Sequence, residues 1–285
     1  MKSGILRIGL LIVVCFLINR AHGQVYDNDE SAKEKHFIYE VKQIDEFFER
    51  FNNDSSSFIR GVYKSYRIKY RIDRSRLIKS LFNYETKSWD TSAINNFVFS
   101  VTDKRNPGNL DFYGDDWFAE LECKFQYNTS TFVVPLILKI VTTSNKGAKW
   151  VIEGVGAIPV KNRITVAEMP SSQDITKCIG PSSHAANFVS LKKAFADKEN
   201  LPNCFGDLFL NKPNALEFYN AVLNNQIEFL YVKHVKYHFL LKEKWIFTVE
   251  YFPREELNSG WLINDLKEVS ADEMENYKRK FLGYN

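Results

Sequence analysis

Apolar and polar positions alternate most cleanly along Trp117–Tyr127. Trp117, Ala119, Leu121, Cys123, Phe125 and Tyr127 fall on one face, and Phe118, Glu120, Glu122, Lys124 and Gln126 on the other. A period of two puts successive side chains on opposite faces, so the run predicts a half-buried antiparallel strand. Phe132–Val141 and Lys149–Val155 extend it into a meander, joined by a turn at Ser144–Gly147. A second set follows at Glu228–Leu241, Trp245–Phe252 and Trp261–Leu266. A shift of 111 lays Trp150 on Trp261 and apolar runs on apolar runs. One helix-and-meander unit used twice is the expectation.

Helical spacing precedes each meander. Ile38, Val41, Ile44, Phe47 and Phe48 recur at three- and four-residue intervals within Phe37–Phe51, and Leu77, Ile78, Leu81 and Phe82 do so within Asp73–Asn83, where Asp73 is placed to cap. Phe97–Val101 reads as a strand, Asn106–Gly108 as a turn and Leu110–Tyr113 as its return. Phe188–Ala196 and Ala215–Leu223 are the helices of the second unit, the latter capped by Asn214 after Pro213. Segregated helices and strands indicate an α+β fold: two tandem units, each with N-terminal helices packed in a strongly curved antiparallel sheet. The expected division is 1–23 signal peptide, 24–36 flexible N-terminus, 37–157 first unit, 158–186 linker, 187–270 second unit and 271–285 C-terminal tail. The helical parts do not superpose without gaps.

Residues 1–23 carry the marks of a secretory signal: Lys2 and Arg7, the apolar run Ile8–Ile18, then small Ala21 and Gly23 around the cleavage point. The run is shorter than the roughly 20 residues a membrane span needs. Export to the periplasm or beyond is expected, with cleavage near Gly23. Of 38 Lys+Arg in the 285 residues, the segment takes Lys2, Arg7 and Arg20, leaving 35 against 35 Asp+Glu. A neutral mature chain argues against a general polyanion binder. Of the cysteines beyond the signal, Cys123 falls on the inward face of its strand, and Cys178 and Cys204 either pair or remain thiols.

The runs "FFERFN" (47–52), "LIKSLFN" (77–83), "DDWFAELECKFQY" (115–127) and "KWVIEGV" (149–155) resemble the nuclear transport factor 2-like superfold, as seen in uncharacterised exported bacterial proteins. The resemblance spans about residues 40–157 and, more weakly, 185–268. It implies a cone whose sheet wraps a helix. The superfold includes isomerases, dehydratases and non-enzymatic binding domains, so fold alone assigns no chemistry. In an enzyme of this superfold, a carboxylate beside a tyrosine in the cone acts as general base with a phenolic donor. Asp115 and Asp116, between Tyr113 and Trp117, are the residues that resemblance nominates for a ligand site. The competing reading has adjacent carboxylates pointing into solvent at a turn.

Other chemistry is sparse. His234 and His238 form an HxxxH pair, but their neighbours are strand formers, and four residues of strand span roughly 13 Å, too far to share one metal. Arg60 to Lys79 is strongly basic, with Arg67, Lys69, Arg71 and Arg74 interleaved with Tyr63, Tyr66 and Tyr70. It reads either as an interaction surface for a phosphate backbone or anionic lipid, or as a solvated helix entry. Trp117, Trp150, Trp245 and Trp261 are core residues or a platform for a glycan or hydrophobic ligand. No metal or cofactor signature and no nucleophile–His arrangement stands out. The expectation is an exported, non-catalytic binding or protein-interaction module of the bacterial envelope, taking an envelope protein or a small hydrophobic or glycan ligand. The alternatives are an isomerase- or dehydratase-type enzyme with a pocket carboxylate, and a structural component of an envelope complex.

Overall fold

The two alternating sets become six strands of one antiparallel sheet. A computed structural model describes residues 40–54, 60–61, 73–85, 88–142, 147–160, 179–254 and 258–282. The expected signal peptide and N-terminal stretch, Arg67, Lys69, Arg71 and Cys178 lie outside the described residues. The helices are α1 (Ile44–Asn52), α2 (Arg74–Ser80), α3 (Thr91–Val101), α4 (Leu191–Ala196), α5 (Ala215–Leu223) and α6 (Ala271–Leu282). The strands are β1 (Trp117–Tyr127), β2 (Ser130–Thr142), β3 (Ala148–Val155), β4 (Glu228–Leu241), β5 (Trp245–Phe252) and β6 (Gly260–Glu268). Their order across the sheet is β3-β2-β1-β4-β5-β6.

The α+β class is therefore present. Each meander forms, and the two join edge to edge through β1 and β4, which pair antiparallel from Trp117↔Phe239 to Gln126↔Glu228. One core runs under both: Phe47 and Phe51 of α1 stack on Phe239 and Phe247 of the second meander, and Trp117 of the first lies 5.6 Å from Phe239 at an interplanar angle of 6°. The apolar inner faces of β1 and β4 are continuous, so burying them together removes more surface from water than covering each alone.

Three expected elements differ. Leu110–Tyr113, read as a returning strand, is irregular chain and turn. Phe97–Val101, read as a strand, belongs to α3: Ile94, Phe97, Val98 and Val101 are its buried stripe, and Asp90 accepts from the Ser92 N–H at its start. The expected tail is α6, opened by a capping box in which Ser270 N–H and Oγ donate to Glu273 and Glu273 N–H donates back to Ser270 Oγ. It covers Phe118, Ile137, Leu240 and Ile246 on the outer face of the sheet. Gly154 lets its last turn come close, since a Cβ there would sit 3.1 Å from the Phe281 carbonyl. Asp73 caps α2 as predicted, whereas Asn214, at φ 61, makes no side-chain cap on α5.

Irregular chain covers part of each outer strand of the sheet. On β6, Trp261 N–H donates to Val41 O at 2.8 Å and Ile263 N–H to Leu81 O at 2.7 Å. On β3, Trp150 N–H donates to Ile179 O at 2.9 Å, and Gly206 N–H to Ile152 O at 3.0 Å. Covered edges cannot template pairing with another chain.

Candidate functional site

The two meanders differ at one place, and a cleft opens there. In the first meander the chain turns at Asn128 and Thr129, so that β2 flanks β1 from Ala119 to Tyr127. In the second, β4 runs on to Leu241 before turning, and its pairing with β5 covers only Lys236 to Leu241. Past that point β5 keeps β6 as its partner, Tyr251 opposite Trp261. The strands therefore splay, and among the described residues β4 from Glu228 to Val235 has β1 on one side and no strand on the other. Lys233 and Leu230 are skipped in the β1–β4 register, which makes bulges that bend the strand further.

The resulting cleft has a volume of about 390 Å³, within the range of small-ligand sites. Val232 to Val235 form one wall, Tyr251 and Trp261 another, and Lys42–Ile44 with the 3-10 turn Pro181–Ala186 close it from the helical side. Its ionisable groups besides Tyr251 are Lys42, His184, Lys233 and His234, all bases. Each also meets a carboxylate: Lys42 with Glu40 at 3.5 Å, His184 Nε2 with Asp45 at 3.2 Å, Lys233 with Glu122 at 3.2 Å and His234 Nε2 with Glu250 at 2.7 Å. None of these carboxylates lines the cleft. His184 Nδ1 faces Pro181 O at 2.8 Å, so both its ring nitrogens are engaged. Behind Trp261 lies Tyr237, ring centroids 4.9 Å apart. Burial, reinforced by the charge of Asp45, pushes the Tyr237 phenol's pKa up, and it remains protonated.

The outer face carries a second polar group beneath α6. His238, 1 % exposed, stacks on Phe118 at 4.7 Å. Its Nε2 lies 3.0 Å from Glu120 and its Nδ1 2.7 Å from the Tyr277 hydroxyl. The phenol donates to Nδ1 and Nε2–H donates to the carboxylate, the arrangement of a neutral imidazole. Burial lowers the His238 pKa against the opposing pull of Glu120. His234 and His238 thus stand on one strand with separate partners, and among the described residues no three His, Cys, Asp or Glu are grouped to hold a metal.

The residues singled out in the sequence lie elsewhere. Tyr113 is 54 % exposed; Asp115 is an exposed partner of Lys139 at 2.5 Å; and Asp116 is exposed, its carbonyl accepting from Leu240 N–H. Trp117 is in the core, packed on Phe48, Trp150 and Tyr237, with its indole N–H on Phe112 O at 3.0 Å. Arg74 donates to three backbone carbonyls. Cys204 is buried, while Cys178 falls outside the described residues. Cys123 is a buried thiol whose pKa burial pushes up. No described helix is long and apolar enough to cross a membrane. Nothing in Tyr113–Trp117 meets the cleft. The cleft's own signal in the sequence is the 14-residue β4 beside the 8-residue β5. Compared with known protein families, curated proteins and solved structures, the chain matches none.

Proposed function

We propose that the chain is an exported, non-catalytic binding or protein-interaction module of the bacterial envelope, and that its ligand is held in the cleft beside β4. The observation that carries this reading is the lining. Among the described residues it offers apolar walls from Ile44, Val232, Val235 and Trp261 and donors from lysine and histidine, but no carboxylate, thiol, serine or threonine. Its histidines each meet a carboxylate that stands outside the lining. The signal-like residues 1–23 support export. An envelope protein or a small hydrophobic or glycan ligand is the partner class. The finer architecture belongs to the same proposal: two tandem units of nuclear transport factor 2-like descent, supported by the coincidence of both meanders at one shift.

Trp261 lines the cleft, so occupancy is readable from intrinsic fluorescence and from Tm. Ligands that raise the Tm of the exported protein should leave a Val232→Phe variant, whose ring fills the cleft, unmoved. Equal shifts in both proteins would refute the cleft as the site. Turnover of any of those ligands would refute the non-catalytic reading.

A further inference from the structure

We infer that the unpaired side of β4, Glu228–Val235, is a docking strand for an extended acidic peptide of a partner protein. This rests on the cleft being a ligand site and gives that ligand its chemistry.

In an antiparallel strand, alternate residues aim their N–H and C=O to opposite sides. Half of those groups in Glu228–Val235 therefore point away from β1, where β5 has already left. Among the described residues no hydrogen bond reaches that side of Phe229–Val235. The two outer edges of the same sheet are covered by chain at Val41, Leu81, Ile179 and Gly206. Among the described residues the fold thus covers part of each outer strand and, as at Ser130–Val134 of β2, leaves this stretch of β4 open, over a length that matches a peptide of seven or eight residues at roughly 3.3 Å each.

Two cavities lie along this edge. The first is the cleft at Val232–Val235. The second, about 310 Å³, lies at Ile227–Phe229 between α4 and α5. Lys192 and Lys198, the latter donating to Val222 O, line the second, as Lys42 and Lys233, each beside a carboxylate outside the lining, line the first; among the described residues Glu228 is the one acid on either lining. Such a slot complements acidic side chains, while Phe229 and Val235 offer apolar contacts to the alternate ones. Only a peptide backbone supplies matching donors and acceptors along the edge, which sets this occupant apart from a nucleic acid or an anionic bilayer.

The test is fluorescence anisotropy with the full chain and a labelled seven-residue peptide alternating valine with glutamate. Three relatives are titrated beside it: one with lysine for glutamate, and two N-methylated on odd or on even residues. Strand addition predicts that one N-methylated peptide binds at least about tenfold more weakly while the other matches the parent, because only one set of amides faces β4. The lysine peptide, and a Lys192→Glu/Lys233→Glu protein that still melts cooperatively above the assay temperature, should each lose at least about tenfold, the deficit shrinking in high salt. Parent-like binding by both N-methylated peptides overturns strand addition and leaves the cleft reading standing. Equal binding of the lysine and glutamate peptides overturns the acidic partner. Peptides that fail to bind while Val232→Phe still abolishes a ligand's Tm shift overturn this inference alone; failure of both measurements removes the cleft reading as well.

Discussion

Glu122 and Lys233 meet across the junction of β1 and β4, carboxylate to ammonium 3.2 Å, and stand 111 residues apart in the chain. That interval is also the one that lays the first meander's sequence on the second's, so the pair occupies matching places in the two meanders. Both side chains are largely in water, at 43 % and 59 % exposure, so either neutral variant, Glu122→Gln or Lys233→Gln, should cost no more than about 1 kcal/mol. Each charge reversal alone should cost more, and the double swap Glu122→Lys/Lys233→Glu should recover most of the loss. Urea midpoints at low salt measure all of these.

Arg74, part of the basic stretch, is predicted to hold the fold together. Its Nε donates to Phe51 O at 2.8 Å, and its two terminal nitrogens donate to Val101 O at 3.1 Å and Gly108 O at 2.6 Å. Two of these carbonyls close α1 and α3, where no intrahelical donor remains. Arg74→Ala should lose about 2–3 kcal/mol of unfolding free energy, and Arg74→Lys should recover only part, because a single ammonium lacks the planar fork. Recovery of full stability by lysine would contradict the geometry.

Gly260 opens β6 at φ +88, where a Cβ would run into the Val41 carbonyl. Gly260→Ala should destabilise by at least about 2 kcal/mol and expose the backbone of β6 beside Val41 to faster amide exchange. Gly154→Ala, at ordinary φ, asks only that α6 shift by a few tenths of an ångström, and should cost clearly less.

Acid should loosen α6. Burial holds the His238 pKa below its ordinary 6.5, so the unfolded chain takes up that proton more readily. Stability from this residue is complete above pH 6.5 and declines as pH falls through that value. The groups facing it are Glu120 on β1, Lys236 on β4, Glu250 on β5 and Tyr277 on α6. The bond from His238 holds the Glu120 pKa below its ordinary 4.5 against its burial. For Glu250, burial acts upward, yet bonds from His234 and Asn264 bring the net shift below 4.5. Their contributions are present above 4.5 and vanish only at lower pH. Urea titrations should show an upper decline near pH 6 that His238→Gln removes, with the lower decline retained. A persistent upper decline in His238→Gln would assign it elsewhere.

What was legible in the sequence was what alternation and helical spacing write locally. β1 and β4 have the predicted bounds, and α2 has its predicted cap, because those patterns involve neighbours alone. Phe97–Val101 misled because aromatic and β-branched residues favour strands in isolation, whereas Asp90 and the four-residue stripe of α3 decide for helix. Helix α6 has a thin apolar stripe, Met274, Tyr277, Phe281 and Leu282, and its Ser270–Glu273 box was the stronger signal. The union of β1 with β4 is a long-range pairing with no local trace, and β5's departure is written only as a difference in strand length. The cleft follows from that departure, which is why Asp115 and Asp116, nominated by fold resemblance, stand away from it.

The coverings at Val41 and Leu81 on one flank, and at Ile179 and Gly206 on the other, set a limit on assembly. A strand added at those positions would first have to break bonds made within the chain, a cost that a segment annealed beside β4 does not meet. One copy offers one such stretch of β4, so occupancy there should saturate at equimolar ratio.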